Sequence, residues 1–515
     1  MQRRSAYLIP SLSHIFFIII FVILIMKGDV LLRDGDTGYH IRAGDYIIEK
    51  LAVPTEDIFS YITPPLEWTA HEWLAEVIMS IIHQQSGMNG IVIFYSTLIA
   101  FSFYIFLKLL NLSYSNILLV WIIVFFATAC TMFHWLARPH IFSFLFLILY
   151  YFILDSLQYR NKNYLLFLPV IMLFWVNLHG GFVLGFVMLA IYFLGNLVKY
   201  SMDRNGEEKK KLKFFLFSTI VCGIVCLINP IGYKIFFFPL KIYSNNFLMT
   251  HVQEFMPTNF QREVAFRYFL CFSFATLIIS RKKVNIIELI LIMAFCYIAL
   301  KSVRQTSLYA IIAAPILIKH LDYNLIAAND KYTKKILTSM KNINRADRRA
   351  RGFIWIYVTV LSISLLACNG YLNWGFDPKK KPVEAVKFLM KEKIEGNMFN
   401  NDEFGDYLIY AAYPQYKVLF DGRSDMYGEK HFAKYFKITR AEYGWEKVIE
   451  EFNIGWIFYD ANSFLSRYLE ERKDWHLIYA DRVAHIYVKN NQTYKDLIKK
   501  YPNVKPVIYE DESSE

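Results

Sequence analysis

Apolar residues fall in long unbroken runs separated by short polar stretches. Eleven such runs cover residues 7–26, 89–111, 115–133, 141–157, 164–178, 182–200, 214–229, 266–280, 284–300, 305–320 and 353–370. A helix of about 20 apolar residues crosses a bilayer core, so each run reads as a membrane span. The run 164–178 is short, and the break at His179-Gly180-Gly181 predicts a tight hairpin or a re-entrant turn. Between the first two runs the pattern changes. Residues 38–50 and 70–85 place apolar side chains on one face, which predicts two amphipathic helices lying at the interface. The proline-broken stretch 54–68 between them predicts extended chain. After residue 370, helix-like segments (382–394, 442–452, 463–472) alternate with strand-like ones (416–422, 454–460, 475–481, 484–490). The predicted fold is an α-helical multi-pass membrane protein of about eleven spans with a C-terminal extracytoplasmic α/β domain. Its parts are a membrane domain 1–370 that includes the first loop 27–88, the α/β domain 371–500 and an acidic tail 501–515.

Composition agrees with this reading. Of 515 residues, 56% are hydrophobic and only 19% charged, too apolar for a soluble protein of this size. The first run is long for a signal sequence and shows no small-residue cleavage site, so it reads as a retained anchor. The net charge of +12 suggests nucleic acid until the positions are considered. The basic residues concentrate between apolar runs, in QYRNKNY, DRNGEEKKKLK, RKK and KNINRADRRAR, where topology determinants belong. No nucleic-acid partner is expected. All six cysteines lie in or at the end of apolar runs and read as packing residues.

Placing Arg3 and Arg4 in the cytoplasm puts those basic loops on the same side, as the positive-inside rule requires. The same arrangement gathers RDGDTGYH, TAHEWLAE, HWLARPH, NLHGG, INPIGYK and LKSVRQ on the opposite face. Ionisable groups at membrane depth mark function more often than packing.

Asp34-Gly35-Asp36 comes first among these. The intervening glycine lets both carboxylates approach one point. Two carboxylates coordinate a hard divalent cation, and one alone is a general base toward a hydroxyl. Asp36 is equally placed to cap the helix that follows. His40, His71 and Glu72 would complete a polar cluster, although HEWLAE lacks the second histidine of a zincin. Arg138, with His140 beyond Pro139, lies at the edge of two spans. Asn177 and His179 lie at another edge, and Lys301 and Arg304 at a third. Cations there suit a lipid-linked phosphate, and snorkelling to headgroups is the alternative, strongest for Lys301. Asp421-Gly422-Arg423-Ser424-Asp425 reads either as an acceptor-binding loop or as a turn held by an Asp–Arg pair. The second reading is preferred. No Walker A, GxGxxG, GxSxG or CxxCH string is present.

The layout resembles the GT-C superfamily of integral-membrane glycosyltransferases: a long first outer loop with acidic residues just after the first span, two interfacial helices, a bundle of spans and an extracytoplasmic C-terminal domain. The strings DGDTGYHIRAGDYI, WTAHEWLAE, ARPHIFSF, WVNLHGGFVLG, INPIGYKIFFFP and LFDGRSDMYG resemble a group of bacterial multi-pass proteins with D-x-D-x-x-x-H in the first loop. The resemblance spans nearly the whole chain. It implies that a first-loop aspartate, here Asp34 or Asp36, acts at the acceptor or holds a metal such as Mg2+ or Mn2+. It implies a polyprenyl-phosphate-linked sugar whose phosphate meets Arg138 and Arg304. It further implies transfer with inversion to an extracytoplasmic glycan or lipid acceptor. The WWDYG-type string of oligosaccharyltransferases and the adjacent acidic pair of protein mannosyltransferases are absent, so peptide acceptors have no support.

The reading is therefore a glycosyltransferase of a bacterial plasma membrane, in contact with membrane lipids. The rival is a non-catalytic transporter or scaffold for lipid-linked glycans. A transporter carries charges deep within its spans, and these runs are almost uncharged.

Overall fold

The computed structural model describes residues 7–328 and 330–507. Arg3, Arg4 and the acidic string 509–515 lie outside the described residues.

Each of the eleven apolar runs is helical over most of its length. In chain order the first helices are α1 (Leu12–Met26), α2 (Asp36–Lys50) and α3 (Trp73–Ser113). They are followed by α4 (Ile117–Ala129), α5 (Ile141–Arg160), α6 (Phe167–Leu178), α7 (Val183–Asp203) and α8 (Gly206–Val225). Then come α9 (Val264–Ile278), α10 (Ile286–Lys301), α11 (Thr306–Ala328), α12 (Lys331–Arg349) and α13 (Phe353–Cys368). Side-chain caps set several starts. Ser11 and His14 form a capping box on α1, Asn285 and Glu288 one on α10, and Asn116 and Asn205 cap α4 and α8. Gly87, at φ +58°, breaks α3 between its amphipathic and apolar parts. The His179-Gly-Gly break is a single 3-10 turn, Gly180–Phe182, before α7.

Among the described residues four helical stretches, Trp73–Ser113, Ile141–Arg160, Gly180–Asp203 and Val303–Ala328, are long and apolar enough to cross a membrane. Counting α12 and α13, bent by 62°, as one span makes five. The chain is thus a multi-pass membrane protein. The other apolar helices are shorter than a full crossing, so a count of eleven does not follow from length and composition. All six cysteines are free.

The chain forms two compact units. One joins the N-terminal stretch up to Gly28 with Asn89–Asn373 and contains α1 and the helices from the apolar part of α3 through α13. The other joins Asp29–Met88 with the chain from Trp374 onward. In this second unit α2 packs against α15 (Asp402–Ala412), which follows α14 (Val383–Glu392) and strand β1 (Asn397–Asn400). Helices α16 (Ser424–Thr439) and α17 (Trp445–Glu451) precede β2 (Ile454–Asp460), and α18 (Phe464–Glu470) separates β2 from β3 (Trp475–Ala480), which β4 (Ala484–Lys489) follows. The sheet order is β1-β2-β4-β3, parallel at β1–β2 and antiparallel elsewhere.

Three of the four predicted strands are present. The fourth, 416–422, is not a strand. Its backbone makes one bridge, Val418 to Ser60, and the Asn400 side chain accepts the N–H of Leu419 at 2.8 Å. A side chain and a loop thus satisfy what a ladder would otherwise take. The extended stretch between α2 and α3 is irregular as expected, apart from a bridge between Glu56 and Glu67.

Candidate active site

Three strings distant in sequence meet in the second unit. Asp36 opens α2, and its N–H donates to Asp34 Oδ1 at 3.1 Å, so Asp34 orders the turn into the helix. Asn401 caps α15 by accepting the N–H groups of Glu403 and Phe404, and that helix carries Asp406 one turn on. Gly422 follows the irregular segment, and its N–H donates to Asp406 Oδ1 at 2.8 Å. A Cβ at Gly422 would lie 2.5 Å from Asp36 Oδ1 and 2.7 Å from Asp406 Oδ2. Both carboxylates therefore converge on this backbone position, and a side chain there would push them aside. Asp36 is 8% exposed and Asp406 3%.

Two carboxylates so close in a buried place do not both ionise cheaply. Burial, then the charges of Asp36 and Asp421, raise the Asp406 carboxyl well above the usual range. Asp34 adds to this, against the opposing pull of the Gly422 N–H. Asp406 thus retains a proton beyond the range of an ordinary aspartate, beside a second carboxyl that can accept one. The sign of the linked stability follows. A folded pKa above the unfolded one stabilises the fold at low pH, and that contribution is lost as pH rises through the folded value. Asp406→Asn should flatten this decline. Thermal melts of wild type and variant across pH should diverge increasingly on the alkaline side, with the variant the more stable.

Arg423, 2% exposed, lies beside this pair and is engaged from two sides. Its Nε and Nη2 donate to Asp421 Oδ1 and Oδ2 at 2.8 and 2.7 Å, and Nη2 also donates to Asp57 Oδ1 at 2.7 Å. The Tyr427 hydroxyl donates to Asp421 Oδ2 at 2.7 Å. The guanidinium carbon lies 4.4 Å from the Trp68 ring centroid and 5.0 Å from that of Phe59. Burial works to raise the Asp57 carboxyl, but the Arg423 charge, the Ser60 hydroxyl, the Phe59 N–H and the Arg423 hydrogen bond outweigh it and hold it low. Arg423 thus joins the first loop to the C-terminal chain within one unit.

His40 is also in this unit. Its Nδ1 lies 3.1 Å from Glu76 Oε1 and its Nε2 3.7 Å from Glu72 Oε2, and His71 Nε2 lies 3.6 Å from Glu72 Oε1. The structure thus links His40, Glu72 and His71, and adds Glu76.

The cationic residues belong to the other unit. Arg138 Nη1 lies 2.7 Å from Glu254 Oε1, and Arg304 Nη1 lies 3.5 Å from Glu254 Oε2. The loop carrying Glu254 is stitched to the end of α10. Ser302 donates to the Glu254 carbonyl at 3.0 Å, and the Val303 N–H donates to the Met256 carbonyl at 3.0 Å. Burial works to raise Glu254, but Arg138 and Arg304 hold it well below the carboxylate range. His140 Nε2 lies 2.8 Å from the His134 carbonyl. Burial, Arg138 and Arg304 push the His140 imidazole down to about 3, so it is neutral. His179 Nδ1 receives the Gly181 N–H at 3.0 Å and the Ser143 hydroxyl at 2.7 Å. The Asn177 amide donates to the Leu173 and Ile228 carbonyls at 2.8 and 2.9 Å. Both residues therefore hold backbone. Lys301 is exposed at the end of α10.

Among the described residues no group of three or more His, Cys, Asp or Glu side chains converges as a metal centre requires. Asp34 Oδ1 is turned to the Asp36 N–H of its own turn. Asp34 and Asp36 belong to no such group of three.

Neither a protein-family model nor a curated protein matches the chain. Among solved structures it is similar to the archaeal oligosaccharyltransferase AglB from Archaeoglobus fulgidus in complex with an inhibitory peptide and a dolichol-phosphate. The TM-score is 0.56 at 12% identity, over 86% of this chain and 69% of that one. A structure of the Archaeoglobus fulgidus oligosaccharyltransferase tethered with an acceptor peptide aligns over the same shares, with a TM-score of 0.48 and 14% identity. At 12% identity the likeness to AglB is one of fold.

Proposed function

We propose that this chain is a GT-C glycosyltransferase of a bacterial plasma membrane. In this reading it crosses the membrane eleven times, with its N-terminus in the cytoplasm and the C-terminal domain outside. The observation that carries the proposal is the meeting of Asp36 and Asp406 at Gly422, in a chain with an oligosaccharyltransferase-like fold. The donor is a sugar on a polyprenyl phosphate. The acceptor is a hydroxyl of an envelope glycan or lipid. The Asp36 carboxylate takes the hydroxyl proton as the oxygen bonds to the anomeric carbon from the side opposite the phosphate. The bond from that carbon to the phosphate oxygen breaks, its electron pair leaves with the phosphate, and the configuration inverts. Asp34 and Asp406 position the base. Arg138 and Arg304, spread by Glu254, are suited to the phosphate by charge and fork geometry. These roles rest on the chemistry of each cluster taken by itself.

Lipid extracts test the reading. Cells lacking the chain should accumulate one polyprenyl-phosphate sugar and lose one envelope decoration, and wild type should restore both. Arg138→Gln, at equal membrane level, should restore turnover only at raised donor. Unchanged lipid-linked sugars in the deletion strain would sink the enzyme reading and favour a scaffold.

A further inference from the structure

Helix α12 differs from every other helix between α1 and α13. It carries four lysines and three arginines against one aspartate, Asp347, and all seven cations are exposed. One face is fixed to the protein. Asn344, 2% exposed, donates its amide to the Tyr114 and Ser115 carbonyls at 2.7 and 3.2 Å. Asp347 Oδ1 accepts the N–H of Leu12, the first residue of α1, at 2.6 Å. The helix therefore sits at the end of its unit where α1 begins and α3 stops.

A second face is apolar and open. Tyr332, Ile336 and Ile343 are 80%, 56% and 46% exposed. At 3.6 residues per turn they fall within about 40° of one another. The cations occupy the remaining arc. The next helix, α13, is apolar throughout and turns away from α12 by 62°. If α13 runs into the membrane, α12 lies closer to the membrane plane than to its normal. A helix at that angle, with exposed Lys331, Lys335 and Arg349 along one edge of its apolar stripe, matches an anionic lipid surface.

We infer that α12 is a surface anchor that seats Tyr332, Ile336 and Ile343 among acyl chains and binds anionic phospholipid headgroups through Lys331, Lys335 and Arg349 beside that stripe. The occupant is a bilayer leaflet, chosen over a protein partner because the charge is of one sign and the stripe is narrow. The inference is independent of the proposed catalytic reading.

The test uses the full chain in nanodiscs of phosphatidylcholine alone or with about a third phosphatidylglycerol, read by amide hydrogen exchange over residues 331–349. Each cation near such a surface contributes roughly fivefold to binding. Exchange should therefore slow at least about fivefold in the anionic discs, and 0.5 M salt, which shortens the Debye length to about 4 Å, should reverse most of it. The triple variant K331Q/K335Q/R349Q should show the same exchange in both lipids. Equal exchange of wild type in the two lipids would overturn the inference. So would slowing that survives the triple variant, or slowing that appears in both lipids only as the protein dimerises.

Discussion

Asp36→Asn should lower sugar transfer by two to four orders of magnitude, the range spanned by a positioned general base, and leave the melting temperature nearly unchanged. The amide keeps the shape of the side chain, and the Asp36 N–H still reaches Asp34 Oδ1. What it loses is the ability to take a proton. It also removes a charge that pushes up Asp406, so Asp406 should ionise at lower pH in the variant. The variant's residual activity should then shift its alkaline limb downward. Asp34→Asn should be milder, about tenfold, because Asp34 orders the turn and Asp36 remains. Transfer from a polyprenyl-phosphate sugar in isolated membranes, at matched protein level, measures both. A rate for Asp36→Asn within threefold of wild type would remove Asp36 as the base.

The helices were legible because their signal is local. An apolar run of membrane length, opened by Asn205, Asn285 or another capping residue, needs no partner to be recognised. The same holds for β2, β3 and β4, whose β-branched and aromatic runs are short and bounded. Segment 416–422 carries the same signal and is no strand, because its partners are the Asn400 side chain and a loop of the first 88 residues. Propensity does not reveal such competitors.

The site was half legible. Asp34 and Asp36 stand out beside an apolar run. Asp406 does not, although a signal was present. Asn401 followed by Asp402 and Glu403, with Phe404 and Leu408 four apart, is the start of an amphipathic helix. That pattern places Asp406 on a helix but not against Asp36. The meeting depends on packing α2 against α15, and the chain between them is long. Glu254 was missed for the same reason. A lone glutamate in a loop shows nothing until two arginines close on it. The grouping of the first loop with the C-terminal chain was likewise invisible, since periodicity speaks only of neighbours.

Arg423→Met should unfold the second unit at temperatures where wild type is intact. The arginine is buried between Asp421 and Asp57, with Trp68 and Phe59 against its plane. Removing one partner of a buried ion network leaves the others charged without compensation, at a cost of about 3–5 kcal/mol. A domain is stable by only about 5–15 kcal/mol, so the loss takes a large share of the margin. Methionine replaces much of the stem volume but none of the charge. The triple variant R423M/D57N/D421N separates charge from packing. With the carboxylates neutralised, most of the loss should return, because an uncharged buried cluster of similar volume is often as stable as the ion network it replaces. Limited proteolysis and thermal melts of membrane-reconstituted protein read this directly. If Arg423→Met melts like wild type, Arg423 does not hold the first loop to the C-terminal chain. If the triple variant is no better than the single one, the loss lies in packing against Trp68 and Phe59 and not in the stranded carboxylates.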